Sequence, residues 1–410
     1  MHRTLATITN SPNGFGGVST WLERITQTLP QCDWWVTTIT HALDCQHLAN
    51  WSGNHPGMQL KPLFGKFALF HQIEPLLEQY LDKENPDVVI VNGSYWMMPV
   101  LQRRKQRGGA LRVIGFCHAD EEGYYLPLLY YQHCFDQIVA VSRTCYQKLI
   151  ARGCSPSRTT LLAYGVPCPK EPLERHRSGP IRLAYVGRLI QYQKRIFDFV
   201  NLVQVLDQRN IDYYLDFYGD GEDGPSLRAR LASWEEAGRV AFHKWIPAAE
   251  VAERVWPTAD VFILPSGFEG LSISMLEAMA NGVVPVVSKV DSGAEEAIEE
   301  GKTGFTFPVG HLDQCADRVA ILANEPERLA AMSLEAWQIV QNRFSLEAYA
   351  RALALLLNTV VDSPPQLASA RYMGFASHSL ARWVPGTIWV HARRWLRRGG
   401  GMNQGYAPFQ

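Results

Sequence analysis

The sequence predicts an α/β protein built from two doubly wound domains with parallel sheets. Three observations carry that expectation. The chain has 410 residues, more than one ordinary hydrophobic core serves. Short apolar runs alternate with helical patterns almost throughout, the rhythm of right-handed βαβ units. At mid-chain a stretch rich in proline and charge, VPCPKEPLERHRSGP (166–180), interrupts the alternation, which then restarts.

In the first half, strands are expected at TLATIT (4–9), WWVTTIT (34–40), DVVIVNG (87–93), RVIGFCH (112–118), QIVAVS (137–142) and TTLLAYG (159–165). Continuous apolar runs of this length suit strands buried on both faces of a parallel sheet. Helical patterns separate several of them, for example 18–29 and 143–152. After a linker at 171–180, strands are expected at IRLAYVG (181–187), YYLDFYG (213–219), VAFHKWI (240–246), DVFILPS (260–266), VVPVVSK (283–289) and TGFTFP (303–308). Helices fall near 195–209, 225–237 and 248–255, then at 311–323 and 327–343. A closing helix spans 346–361, and DSPPQ (362–366) ends it because paired prolines cannot continue a helix. The expected domains are therefore 1–170 and 181–345, with a tail at 362–410. Two such series argue for two Rossmann-like domains facing one another across a cleft. Ligands of such sheets bind beyond the carboxyl ends of the strands, so the loops after strands should carry the chemistry.

Composition narrows the class. The chain is 47% apolar and 19% charged, as a soluble globular protein is, and its net charge of −1 gives no general attraction to nucleic acid. Charge is unevenly placed. Residues 363–410 hold six arginines and no Asp or Glu, which makes that tail +6 and the remainder −7. The eight cysteines form no C-x-x-C pair, which argues against a zinc ribbon or thioredoxin motif. Cys117, in VIGFCH, reads as a small buried hydrophobe. That usage suggests a reducing compartment, the cytoplasm. The opening MHRTLATITNSPNG is too short and polar for a signal peptide, and no uninterrupted apolar run reaches the roughly 18 residues of a membrane span.

Three loops stand out. NSPNGFGGVST (10–20) brings Gly14, Gly16 and Gly17 between the first strand and a helix. Its free N–H groups suit an anion, although a plain strand-to-helix turn has the same composition. The spacing is not G-x-G-x-x-G, which argues against a dinucleotide-dependent dehydrogenase. VGRLIQYQKRI (186–196) places Arg188, Lys194 and Arg195 near a strand end and a helix start, where cations suit a diphosphate or simply face solvent. FEGLSISMLEAMANG (268–282) sets Glu269 at the mouth of a buried strand and Glu277 inside a helix. Structurally, SMLE (274–277) fits an S-x-x-E capping box, with Glu277 reaching back to Ser274 and Gly282 ending the helix. Yet a bare carboxylate behind a buried strand is costly unless it binds something, and sugar or ribose hydroxyls are suitable donors.

The stretch GFEGLSISMLEAMANGVVPVVS (267–288) resembles the E-x7-E signature of the retaining glycosyltransferases typified by glycogen and sucrose synthases, family 4 in the sequence classification. YVGRLIQYQKR (185–195) is similar to that family's basic phosphate motif, GFGGVSTWL (14–22) to its glycine loop, and EEAIEEGKTGF (295–305) to the segment after the signature. The resemblance runs over roughly residues 5–345 and implies the GT-B fold, two Rossmann-like domains with a nucleotide-sugar donor in the cleft. It implies that Glu277 holds the ribose hydroxyls, that Glu269 contacts the transferred sugar, and that backbone at Gly270 and Leu271 faces the diphosphate. Arg188 and Lys194 match the phosphate-binding pair, and Gly16 and Gly17 the glycine loop. His118, in GFCHADEEG (115–123), matches a histidine near the sugar, and AYGVP (163–167) the hinge. The spacing from Arg188 to Lys194 is one longer than the usual pattern, which leaves Lys194 and Arg195 competing for the phosphate role. DSGAEEAI (291–298) lacks the usual Gly-Gly and Pro-Glu, which leaves the sugar open.

The expected activity is transfer of a sugar from a UDP- or GDP-linked donor to a glycan or lipid-linked acceptor, with retention and in polysaccharide or glycoconjugate synthesis. No cofactor is expected. No D-x-D motif occurs, so the cations and backbone amides are expected to do the work of a metal. The alternatives are a nucleotide-sugar epimerase on the same plan and a binding protein without turnover. In the tail, Trp383, Trp389 and Trp395 lie six apart, and Arg393, Arg394, Arg397 and Arg398 cluster at its end. That pairing suits the headgroup boundary of an anionic membrane, the inner face here, or burial against the N-terminal domain.

Overall fold

The computed structural model describes residues 3–9, 16–40, 58–63, 70–93, 95–173 and 179–366. The expected tail segment with its tryptophans lies outside these residues, as does Gly14. The chain forms two compact units. Among the described residues, one comprises those up to Val141, Cys145–Leu162 and those from Ala350 to Gln366, and the other Ser142–Thr144 and those between Ala163 and Tyr349.

The first unit contains a parallel sheet of β1 (Arg3–Thr9), β2 (Trp34–Thr40), β3 (Leu60–Pro62), β4 (Val88–Asn92), β5 (Arg112–Cys117), β6 (Gln137–Ala140) and β7 (Thr159–Leu161), in the order β3-β2-β1-β4-β5-β6-β7. Helices α1 (Gly17–Thr28), α2 (Phe70–Glu84), α3 (Met98–Gln106), α4 (Glu122–Tyr130) and α5 (Arg143–Ala151) connect the strands. All five residues of β4 and all six of β5 are buried, as strands covered on both faces must be. Strand β3 has no apolar run to announce it, because its three residues LKP are half-buried or exposed at the sheet edge.

The second unit repeats the plan with β8 (Ile181–Val186), β9 (Tyr213–Tyr218), β10 (Val240–His243), β11 (Val261–Leu264), β12 (Val284–Lys289) and β13 (Phe305–Pro308), in the order β10-β9-β8-β11-β12-β13. Its helices are α6 (Gln191–Lys194), α7 (Asp198–Gln208), α8 (Gly224–Arg230), α9 (Ala232–Glu236), α10 (Ala248–Arg254), α11 (Ile273–Ala280), α12 (Leu312–Asn324) and α13 (Pro326–Arg343). Tyr185, Phe199, Phe217 and Phe242 pack ring against ring, the first two contacts edge-to-face and the last stacked, with neighbouring centroids 4.8–5.3 Å apart. The helix expected from 195 starts instead at Asp198, because Arg195 adopts a left-handed conformation (φ 49°) that closes the short α6. The helix expected at 225–237 divides at Leu231.

The last helix, α14 (Leu346–Asp362), begins in the second unit and joins the first from Ala350. Arg112, at the start of β5, donates to the carbonyls of Val360, Val361 and Ser363 and so satisfies the helix's C-terminal acceptors. Both sheets are Rossmann-like. Each has a switch point where the strand order reverses, between β1 and β4 and between β8 and β11. No helix among the described residues is long and apolar enough to cross a membrane.

Candidate active site

In the second unit the residues singled out by sequence gather at the switch point. Arg188 follows β8, and Glu269 follows β11 on the other side of the crevice. Lys194, at the end of α6, closes the gap: its Nζ lies 2.6 Å from Glu269 Oε1, with both side chains about nine-tenths buried. Ser266 Oγ donates to the same oxygen at 2.7 Å. Glu269 is thus a buried carboxylate with a counter-ion and a hydroxyl donor, as burial requires. Gln193 ties the two loops together, since its carbonyl accepts from the Gly267 amide at 2.8 Å and its side chain accepts from Arg188 at 2.7 Å. Arg188 itself is exposed. Lys194 and Arg195, the two candidates for the phosphate role, have different partners. Arg195 is engaged by Asp198 through two hydrogen bonds of 2.8 and 3.1 Å, whereas Lys194 faces Glu269.

Glu277 lies on α11, just behind that strand end, and is buried. The capping box expected from Ser274 and Glu277 does not form. The helix starts two residues earlier than that box requires, at Ile273, and Ser272 is its cap, accepting from the Met275 amide at 3.3 Å. Glu277 therefore sits beyond the first turn, where it cannot reach the cap. Gly282 follows the helix with a φ of 70°, the left-handed position expected after a C-terminus. Gly270 and Leu271 are buried in the loop leading into α11.

In the first unit, Gly16 caps α1 in a conformation only glycine adopts readily (φ 114°), and Gly17 is the first helical residue. His118 follows β5 and is buried. Its Nε2 lies 2.8 Å from Asn92 Oδ1, at the end of β4. Trp21, Phe116 and Tyr124 surround the ring, with centroids 5.2–5.8 Å away. Burial pushes the imidazole pKa down to about 3, so the ring is neutral at any working pH. These three residues and the second unit's cluster are in different units of the chain.

Several residues of these clusters escape sequence reasoning. Ser266 and Asn92 matter only through partners brought close by the fold. Gly219 and Gly221, after β9, let two backbones touch. A Cβ on Gly219 would lie 1.9 Å from the Gly187 carbonyl oxygen, and one on Gly221 2.3 Å from that of Leu189. The segment YGDGEDG (218–224) does carry a sign of this in its glycines. Asp223 completes the brace by accepting from the Gln191 amide at 2.7 Å. The loop that presents Arg188 is thus held by its neighbour.

Comparison with known proteins agrees with both halves. Residues 15–169 match the family described as Glycosyltransferase Family 4, and residues 180–325 match Glycosyl transferases group 1. The chain is 28% identical over 241 residues to the amylovoran biosynthesis glycosyltransferase AmsK of Erwinia amylovora, covering 56% of this chain and 58% of that protein. It is 26% identical over 243 residues to lipopolysaccharide 1,6-galactosyltransferase of Salmonella typhimurium, covering 57% and 65%. It therefore spans about three fifths of the length of the curated relatives it matches. Among solved structures, HepE of Anabaena in complex with UDP superimposes with a TM-score of 0.69 at 17% identity, over 87% of this chain and all of that one. The lipopolysaccharide outer core galactosyltransferase WaaB gives 0.64 at 20% identity, over 87% and 99%. The fold is GT-B.

Proposed function

We propose, from the matches to Glycosyltransferase Family 4 and Glycosyl transferases group 1, a retaining glycosyltransferase that moves a sugar from a nucleotide-diphospho-sugar to a glycan or lipid-linked acceptor, in polysaccharide or lipopolysaccharide synthesis. The observation that carries the reading is the buried Lys194–Glu269 pair at the β8/β11 switch point, beside Arg188 and in front of Glu277. The names of the curated relatives support transfer over epimerisation or simple binding. UDP in the HepE structure favours a UDP-linked donor.

Each charge of the pair neutralises the other. A diphosphate brings new negative charge for Lys194 to meet, and Glu269 then turns its acceptor oxygens to the hydroxyls of the transferred sugar. Glu277 accepts from the ribose hydroxyls. In the reaction the bond from the anomeric carbon to the diphosphate oxygen breaks, and the carbon acquires oxocarbenium character. The acceptor oxygen bonds to the same face, and its proton passes to the departing phosphate oxygen. Negative charge grows on the diphosphate, where Arg188, Lys194 and the amides at Gly270 and Leu271 stabilise it. These cations do what a divalent metal does in other transferases, and the reaction is assigned to them without one.

A donor screen tests the reading. The chain is incubated with UDP-, GDP- and ADP-sugars, and nucleotide release is measured with and without lipid extract. Release from one donor class, stimulated by the extract, is the expected result. No release from any of them under either condition refutes it.

A further inference from the structure

The first unit holds a polar arrangement that the proposed chemistry does not use. Asn92 is the last residue of β4, in register with Thr9 at the end of β1, so it stands at that sheet's own switch point. The residue is buried, with a relative exposure of 3%. Its Oδ1 meets His118 Nε2 at 2.8 Å, while its Nδ2 is buried with no hydrogen-bond partner among the described residues. Ser19 Oγ, in the first turn of the helix that follows β1, is a second buried atom with none. Buried amide and hydroxyl groups are almost always satisfied, and an exception calls for an explanation such as a functional role or a bound partner.

The surroundings of the histidine are aromatic: Trp21 from α1, Phe116 from β5 and Tyr124 from α4. Asp120, the nearest acid along the chain, is engaged by Lys148 and Tyr125 at 2.6 and 2.7 Å, and the preceding Cys117 thiol is pushed well up by burial. The ring is therefore neutral, with one proton to place. An amide oxygen only accepts, so Nε2 carries that proton and Nδ1 is the acceptor nitrogen.

We propose that Asn92 is a positioning residue: 2.8 Å from His118, it locks the imidazole in the Nε2–H form and presents its own buried amide N–H to a hydroxyl oxygen of a bound sugar. The sugar half rests on the glycosyltransferase reading, and the tautomer half does not. The hydroxyl belongs either to the transferred sugar or to the acceptor glycan.

The test uses the full chain labelled with 15N in histidine and asparagine, and His118→Gln identifies the His118 signals. Long-range proton–nitrogen spectra should show a protonated Nε2 and an unprotonated Nδ1. Asn92→Ala should give a tautomer mixture. Asn92→Asp should raise the pH at which His118 takes its second proton by about two units, as a carboxylate neighbour does. A wild-type Nδ1–H form, or identical His118 behaviour in both variants, overturns the positioning role. The Asn92 amide signal is then followed with UDP, UDP-glucose, UDP-galactose and a lipopolysaccharide core oligosaccharide. A shift with the UDP-sugars assigns the hydroxyl to the donor, and a shift with the oligosaccharide assigns it to the acceptor. If UDP binds and no sugar-bearing probe moves the signal, the sugar half is overturned. If UDP does not bind, the donor reading fails, and the tautomer result stands or falls separately.

Discussion

Two residues carry opposite lessons about burial. Glu269 is buried with its charge compensated by Lys194 and Ser266, whereas burial keeps His118 neutral. The second has a measurable consequence. An unfolded chain binds the histidine proton near pH 6.5, but the folded protein does not until about pH 3. Between those values the unfolded state holds the extra proton, so stability falls as the pH falls, by up to about 1.4 kcal/mol per pH unit from this one group. Above 6.5 the group contributes no pH dependence. His118→Gln should therefore flatten the acid limb of a Tm-versus-pH curve across that window; parallel limbs for the two proteins would contradict it. Glu277 offers a second check. Because Ser272 and not Glu277 caps α11, removal of the carboxylate should spare the helix. Glu277→Ala should stay folded and lose about 10- to 100-fold in donor affinity, the worth of a hydrogen bond to a charged group. Donor affinity equal to wild type would sink the ribose role.

The site loops depend on how neighbouring elements touch. The loop after β8 rests on the loop after β9, backbone against backbone, and Gly219 is where they meet at φ 152°. Gly219→Ala must move the Gly187 carbonyl, and with it Arg188. A misplacement of about 1 Å in such a loop costs on the order of 100-fold in turnover, and the predicted signature is that loss alongside a stability change of about 1–3 kcal/mol. Unchanged turnover would mean that the loop is not the phosphate clamp. This scale also shows what could be read in advance. Strands such as VVIVN and VFIL declare themselves, since double-sided burial leaves an unbroken apolar run. The E-x7-E stretch is equally legible, because one helix and its preceding loop fix both glutamates in the chain. Strand β3 is not, being three edge residues without a pattern. Nor is the α11 cap: Ser272 and Ser274 both have capping chemistry, and only the backbone decides between them. Asn92 and Gly219 have roles set by partners 26 and 32 positions away, which no local window relates to chemistry.

For the molecule as a whole, the GT-B plan gives two Rossmann-like units, one carrying the cationic switch point and the other the Asn92–His118 pair. The +6 charge of residues 363–410 adds a hypothesis about location, that these arginines and tryptophans bind an anionic membrane near the acceptor. Full-length protein should sediment with anionic liposomes at low salt, and a chain ending at Gln366 should not; equal behaviour of the two would reject the idea. The central claim, however, is that the β8/β11 switch point stabilises a departing diphosphate. Lys194→Ala tests it most directly, with donor affinity and turnover measured on the same folded protein. The charge that Lys194 meets grows in the transition state, so turnover should drop by about 100-fold or more while affinity changes far less. A loss of about tenfold or less, or a loss confined to affinity, would place the diphosphate elsewhere.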